Sequence, residues 1–234
     1  NNYCFSPSIS ADGRFVAFET NATNLVPGDT NDANDIFVFD RQARTIERVN
    51  VSGTGIQANG YSGTPFISSD GRLVAFQSSA PNLGASQGTE LFVIDRQTHA
   101  IDRLGVTQIY EDSHGISRRN PLSMNSDGRF VTFSSTSSNI VSGDTNGLPD
   151  IFVFDRQNRT VDRASVSATG AEGNYPSYSP TISADGQVVV FVSESSNLVS
   201  GATRPGFVPG IFAFDRQQRS IVSPTVTDVR PIAL

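Results

Sequence analysis

The apolar residues of this chain fall in short runs, and the runs are of two kinds. Phe15–Phe18, Leu73–Phe76, Phe130–Phe133 and Val188–Phe191 each follow an Asp-Gly dipeptide closely. Ile36–Phe39, Leu91–Ile94, Ile151–Phe154 and Ile211–Phe214 each run directly into Asp-Arg-Gln. Neither kind alternates with polar residues, so each predicts a strand covered on both faces. Asp-Gly predicts the tight hairpin turn that leads into the first kind. No stretch keeps a 3.6-residue period, so no helix is predicted.

The markers repeat. Asp-Gly begins at Asp12, Asp70, Asp127 and Asp185, in steps of 58, 57 and 58 residues. Asp-Arg-Gln begins at Asp40, Asp95, Asp155 and Asp215, in steps of 55, 60 and 60. Each unit reads as four strands. The first ends in Ser-x-Asp-Gly, the second and third are the apolar runs, and the fourth is mixed: TIERVNV, AIDRLGV, TVDRASV and the divergent SIVSPTV. The fourth is expected at an outer edge, blunted by its arginines. Four-stranded units whose inner strands are doubly covered are best met by an all-β fold of radially stacked sheets, a β-propeller of four four-stranded blades.

The pattern Ser-x-Asp-Gly…Val-x-Phe…Phe-x-Phe-Asp resembles the TolB-like propeller repeat of bacterial proteins, a relative of the WD-repeat class. The resemblance spans Pro7 to about Val226. It implies one propeller domain over residues 1–234, with blades near 6–52, 64–107, 120–167 and 179–227. It also implies a periplasmic or extracellular setting. It says little of function, because the repeat serves scaffolds and enzymes alike. A closed four-bladed ring is expected rather than an arc of a larger one. No strand is exchanged between the first and last units, so blade 4 must meet blade 1 by side-chain packing alone.

Charge narrows the partners. The net charge is -6, and all 17 basic residues are arginine. Binding to nucleic acid or anionic lipid is disfavoured. No apolar run approaches the ~18 residues of a membrane span, so no membrane insertion is expected. The single cysteine, Cys4, excludes an internal disulfide and reads as a small loop or core residue.

Strand direction alternates, so the Asp-Gly and Asp-Arg-Gln turns share one face of the propeller. The second-to-third and fourth-to-first connections share the other. The repeated turns read as scaffold, whereas the connections differ in length and chemistry and form the candidate binding face. Two features mark it. Asp29, Asn31 and Asp35 in unit 1, and Asp144, Asn146 and Asp150 in unit 3, hold oxygen ligands at positions one, three and seven of a loop. That spacing suits a hard cation such as calcium, at a modest affinity on the order of 10⁻⁴–10⁻³ M. The competing reading is Asx-type turns with a carboxylate capping the strand start. The loops of units 2 and 4 lack the set. The second feature is that all five tyrosines, Tyr3, Tyr61, Tyr110, Tyr175 and Tyr178, lead into first strands. Rings with a polar tip suit protein or glycan contact, and equally suit packing between loops.

Catalytic chemistry is sparse. Only the connection TQIYEDSHGISRRN gathers Tyr110, His114, Arg118 and Arg119, a set that general acid/base work on an acidic polysaccharide would need. It matches no lyase motif residue by residue, and an exposed polar loop explains it as well. His99 falls where other units carry Arg44, Arg159 and Arg219, a solvated surface position. No phosphate loop, nucleophile elbow or zinc spacing is present. The leading reading is a non-enzymatic propeller that presents its loop face to a protein or glycan, with calcium as a candidate stabiliser. The alternative is a carbohydrate-active enzyme acting on an acidic glycan.

Overall fold

The computed structural model describes residues 3–86, 88–107, 122–200 and 209–223. Among the described residues sixteen strands form four antiparallel sheets, each a simple meander. Blade 1 holds β1 (Cys4–Ile9), β2 (Phe15–Thr20), β3 (Asp35–Asp40) and β4 (Thr45–Arg48). Blade 2 holds β5 (Ser62–Ile67), β6 (Leu73–Ser78), β7 (Glu90–Asp95) and β8 (Ile101–Thr107). Blade 3 holds β9 (Leu122–Met124), β10 (Phe130–Ser135), β11 (Asp150–Asp155) and β12 (Thr160–Arg163). Blade 4 holds β13 (Ser177–Ile182), β14 (Val188–Ser193), β15 (Gly210–Asp215) and β16 (Ser220–Val222). The fold is an all-β propeller, as the repeat implies.

Within each blade the two apolar strands pair in full register, and one phenylalanine pair stacks across them. The pairs are Phe18–Phe37, Phe76–Phe92, Phe133–Phe152 and Phe191–Phe212, with centroids 5.6–5.9 Å apart. Such stacking adds about 0.5–1.5 kcal/mol per pair beyond the area buried. The Asp-Gly turns are closed by their aspartates: Asp12 accepts from Ser10 Oγ at 2.6 Å and from the Arg14 amide at 2.9 Å. Asp70 and Asp185 repeat both bonds.

Blades pack face to face, and each joint uses the same parts. Ala17, Ile36 and Val38 of blade 1 meet Val74, Phe76 and Phe92 of blade 2. Ala75, Leu91 and Val93 of blade 2 meet Val131, Phe133 and Phe152 of blade 3. Ile151 and Val153 of blade 3 meet Val189, Phe191 and Phe212 of blade 4. The turn glycines of blades 2 to 4 lie in these joints. A Cβ on Gly71 would stand 2.2 Å from the Phe15 ring of blade 1, and Gly71 has a φ of +74°. Glycine is therefore required there twice over, for conformation and for close approach.

The outer faces of the end blades differ from this scheme. On blade 4, Val190 and Ile211 are 38% and 44% exposed, although they sit where blades 1 to 3 bury their joint residues, and Val222 is 58% exposed. On blade 1, Ile9 is 57% exposed, and a Cβ on Gly13 would meet only Arg41 and Ile9 of its own blade. A joint between blade 4 and blade 1 is not seen among the described residues. Cys4, read as a loop or core residue, is exposed at the first position of β1.

Candidate functional site

The turn face is a lattice of ion pairs. Each Asp-Arg-Gln aspartate caps its own turn, as Asp40 Oδ1 does by accepting from the Gln42 and Ala43 amides. In blades 1 to 3 the same aspartates pair with the arginine after Asp-Gly: Arg14–Asp40 at 2.7 Å, Arg72–Asp95 at 2.5 Å and Arg129–Asp155 at 2.7 Å. These pairs hold Asp95 and Asp155 down to about 2 and Asp40 lower still, chiefly through the arginine hydrogen bonds. The Asp-Arg-Gln arginines reach across the joints. Arg96 bonds Glu47 of the preceding blade at 2.5 Å, and Arg156 bonds Asp102 at 3.1 Å. Arg96 and Arg216 also lie 4.4 and 4.0 Å above Phe15 and Phe130. Two small clefts of about 320 and 380 Å³ open at the first two joints. Their arginines already have carboxylate partners. His99 is exposed on this face.

On the opposite face the two acidic loops fold alike. Asn31 and Asn146 make Asx turns, accepting from the amides of Ala33 and Leu148. Their Nδ2 groups donate to Ala58 O and Gly173 O, both at 2.8 Å, which ties each loop to the connection after the fourth strand. The carboxylates turn inward. Asp29 and Asp35 flank the guanidinium of Arg48, each 3.4 Å from Nη1. Asp144 and Asp150 flank Arg163, at 3.7 and 3.2 Å. The fourth-strand arginines therefore close the acidic loops, and do not blunt an edge. Blade 2 keeps the pair as Arg103–Glu90. In blade 4 both partners are absent, replaced by Ser223 and Gly210.

The two loops are not equivalent. In blade 3 a third carboxylate, Glu172, lies 3.1 Å from Arg163 Nη1 and accepts from the Thr145 amide at 3.1 Å and from Thr145 Oγ1 at 2.5 Å. In blade 1 the corresponding residue is Gln57, which keeps the threonine contact, to Thr30, but carries no charge. Asp144, Asp150 and Glu172 bring ligand oxygens within 4.8 Å of one another. Burial raises Asp150 to about 6 despite its bonds from Ser165 and Arg163. Burial also raises Asp144 and Asp35, whereas the Thr145 bonds lower Glu172. Glu172 was not among the residues that loop spacing selects, because it lies outside the loop. Its signal is faint: an acid in unit 3 where unit 1 has an amide.

The tyrosines divide. Tyr3, Tyr61 and Tyr175 lead into first strands on the loop face and are 78%, 39% and 38% exposed. Tyr178 is buried within β13, and its hydroxyl reaches Glu194 at 3.3 Å. Tyr110, His114, Arg118 and Arg119 lie outside the described residues. The loops around these tyrosines are pinned to one another. Asn59 and Asn82 each accept from the other's amide, at 3.0 and 3.2 Å. Asn174 accepts from the Ser196 amide and donates its own amide to Asn197 Oδ1.

No protein-family profile and no curated protein matches the chain. Solved structures do. TolB from Acinetobacter baumannii superposes over 95% of this chain and 43% of its own, at 20% identity and a TM-score of 0.57. A putative TolB from Agrobacterium tumefaciens matches 94% of this chain and 64% of its own, at 18% identity and 0.56. A puromycin-hydrolyzing peptidase of Mycobacterium tuberculosis matches 95% of this chain but only 29% of its own, at 11% identity and 0.57. This chain thus spans less than two thirds of each of these proteins. Among the described residues no helix is long and apolar enough to cross a membrane. The chain folds as a TolB-like β-propeller.

Proposed function

We propose that this chain is a non-enzymatic binding propeller that presents its loop face to a protein partner in the periplasm. The observation that carries the reading is an exposed apolar and aromatic set on that face: Tyr3, Ile56, Tyr61 and Tyr175. Ile56 is 62% exposed at the tip of the fourth-to-first connection. Tyrosines and aliphatics with few charges among them are what the core of a protein interface contains. The asparagine clasps hold the loops in place beforehand, which lowers the ordering cost of binding. A protein fits this surface better than a glycan, because an exposed aliphatic side chain, Ile56, belongs to the set beside the tyrosines. The periplasmic setting follows the TolB-like fold. The peptidase likeness supports no reaction here, since the matched part is under a third of that chain.

The test is site-specific photo-crosslinking in cells. A photoreactive residue at Tyr61 or Tyr175 is expected to capture one discrete partner, while the same residue at Gln97 on the turn face captures none. Capture from Gln97 alone would move the interface to the other face and overturn the proposal.

A further inference from the structure

We propose that the loop cluster of blade 3, and not its counterpart in blade 1, is a calcium site built from Asp144, Asp150 and Glu172. The proposal goes beyond the binding reading and does not depend on any partner.

It begins with a buried carboxylate that accepts no hydrogen bond. The Asp144 side chain is 2% exposed, and neither of its carboxylate oxygens has a hydrogen-bond partner. A buried carboxylate without donors is costly, and native proteins seldom leave one. Its oxygens face Asp150, 1% exposed, and Glu172, 24% exposed. One guanidinium, that of Arg163, serves all three.

Charge decides between the blades. Three carboxylates against one arginine leave blade 3 with a formal charge of about two negative units in a largely buried space. One divalent cation cancels that excess. Blade 1 holds Asp29, Asp35 and Arg48, with the neutral Gln57 in place of Glu172, so a divalent cation there would overshoot. Blade 2 pairs one acid with one arginine and is already balanced. The ligands are all hard oxygens, with no histidine or cysteine in the cluster. That donor set, on an irregular loop with carbonyls at hand, suits calcium rather than zinc or copper. Asn146 is not a ligand in this scheme, because its Oδ1 serves the Leu148 amide and its Nδ2 serves Gly173 O.

The experiment is equilibrium dialysis of the intact chain against radiocalcium, with melting followed in parallel. One site per chain is expected, with a dissociation constant on the order of 10⁻⁴–10⁻³ M, and a melting midpoint that rises with calcium. Glu172→Gln is expected to weaken binding at least tenfold. This residue is partly exposed, so the variant should fold, which circular dichroism would confirm. Asp29→Asn is expected to leave calcium binding unchanged. Gln57→Glu, which gives blade 1 its third carboxylate, is expected to add a second site. No binding at 10 mM calcium would overturn the proposal. So would two equal sites in the unaltered chain, or unchanged affinity in Glu172→Gln.

Discussion

Leu91 and Ile211 hold the same place in their blades. Each stands at the second position of the third strand, opposite Gln77 and Val192 respectively. Leu91 is completely buried in the joint with blade 3, whereas Ile211 is 44% exposed on the outer face of blade 4. One repeat position thus meets two environments, and the difference measures what a blade joint contributes.

Truncating the two side chains separates those environments. Leu91→Ala is expected to cost about 2–5 kcal/mol, the range for a large aliphatic removed from a packed core. Ile211→Ala should cost less than about 1 kcal/mol, as for a surface change. Urea unfolding of the two variants gives both numbers. Equal losses would show that blade 4 is covered in solution, as a closed ring requires.

The turn glycines allow a second comparison. Gly71 and Gly13 share a positive φ, of +74° and +70°. Alanine at either position carries the left-handed backbone penalty of about 1–2 kcal/mol. Only at Gly71 would the new methyl also strike the Phe15 ring across a joint, while at Gly13 its nearest neighbour, Arg41, stands 3.6 Å away. Gly71→Ala should therefore exceed Gly13→Ala by about 1–3 kcal/mol, the usual cost of overpacking. A Phe15→Leu background, which makes room, should narrow the gap.

The scaffold can be read from the sequence because its signals are local. Asp-Gly and Asp-Arg-Gln bound every hairpin, and the apolar runs between them are the central strands within a residue or two. The site is less accessible because its contacts are distant in sequence. Arg163 reaches Glu172 across nine positions and Asp150 across thirteen, and Thr145 reaches Glu172 across twenty-seven. A loop spacing cannot see such partners. The comparison of units holds one clue. Asp35 and Arg48, Glu90 and Arg103, and Asp150 and Arg163 occur together, and in unit 4 both members vanish as Gly210 and Ser223. Residues lost as a pair are residues in contact, and that co-occurrence points to an ion pair rather than to two solvated charges. Blade 1 against blade 4 could not be settled by pattern, because the apolar runs of both read as doubly covered.

The pair behaves as a unit, and a double-mutant cycle should show it. Arg48→Ser alone leaves Asp29 and Asp35 buried without their counter-ion, and is expected to cost about 3–5 kcal/mol. Asp35→Gly alone removes the acceptor that Asn50 holds at 2.6 Å and is expected to cost a similar amount. The double variant copies what blade 4 carries naturally. Its loss in urea unfolding should fall short of the sum by at least about 1 kcal/mol, the coupling expected of residues in contact. Additive losses would mean that Arg48 and Asp35 act separately.

Stability should pass through a maximum on acidification, because two sets of carboxylates titrate in opposite senses. Burial raises Asp150 to about 6, against 3.8 for an unperturbed aspartate, and raises Asp35 and Asp144 as well. Between those values the folded chain holds a proton that the unfolded chain lacks, so folding is favoured as pH falls from about 7 toward 4. Asp95 and Asp155 are held at about 2 by Arg72 and Arg129. Their stabilisation is complete above 3.8 and is lost as pH falls through 2. The melting midpoint, recorded from pH 8 to pH 2 in the presence of chelator, should therefore rise, peak near pH 4 and then drop. Asp150→Asn should flatten the rise between pH 7 and 4, while the acid drop, which belongs to the turn face, stays in place. A variant that shifted the acid drop instead would break the assignment of the two limbs to the two faces.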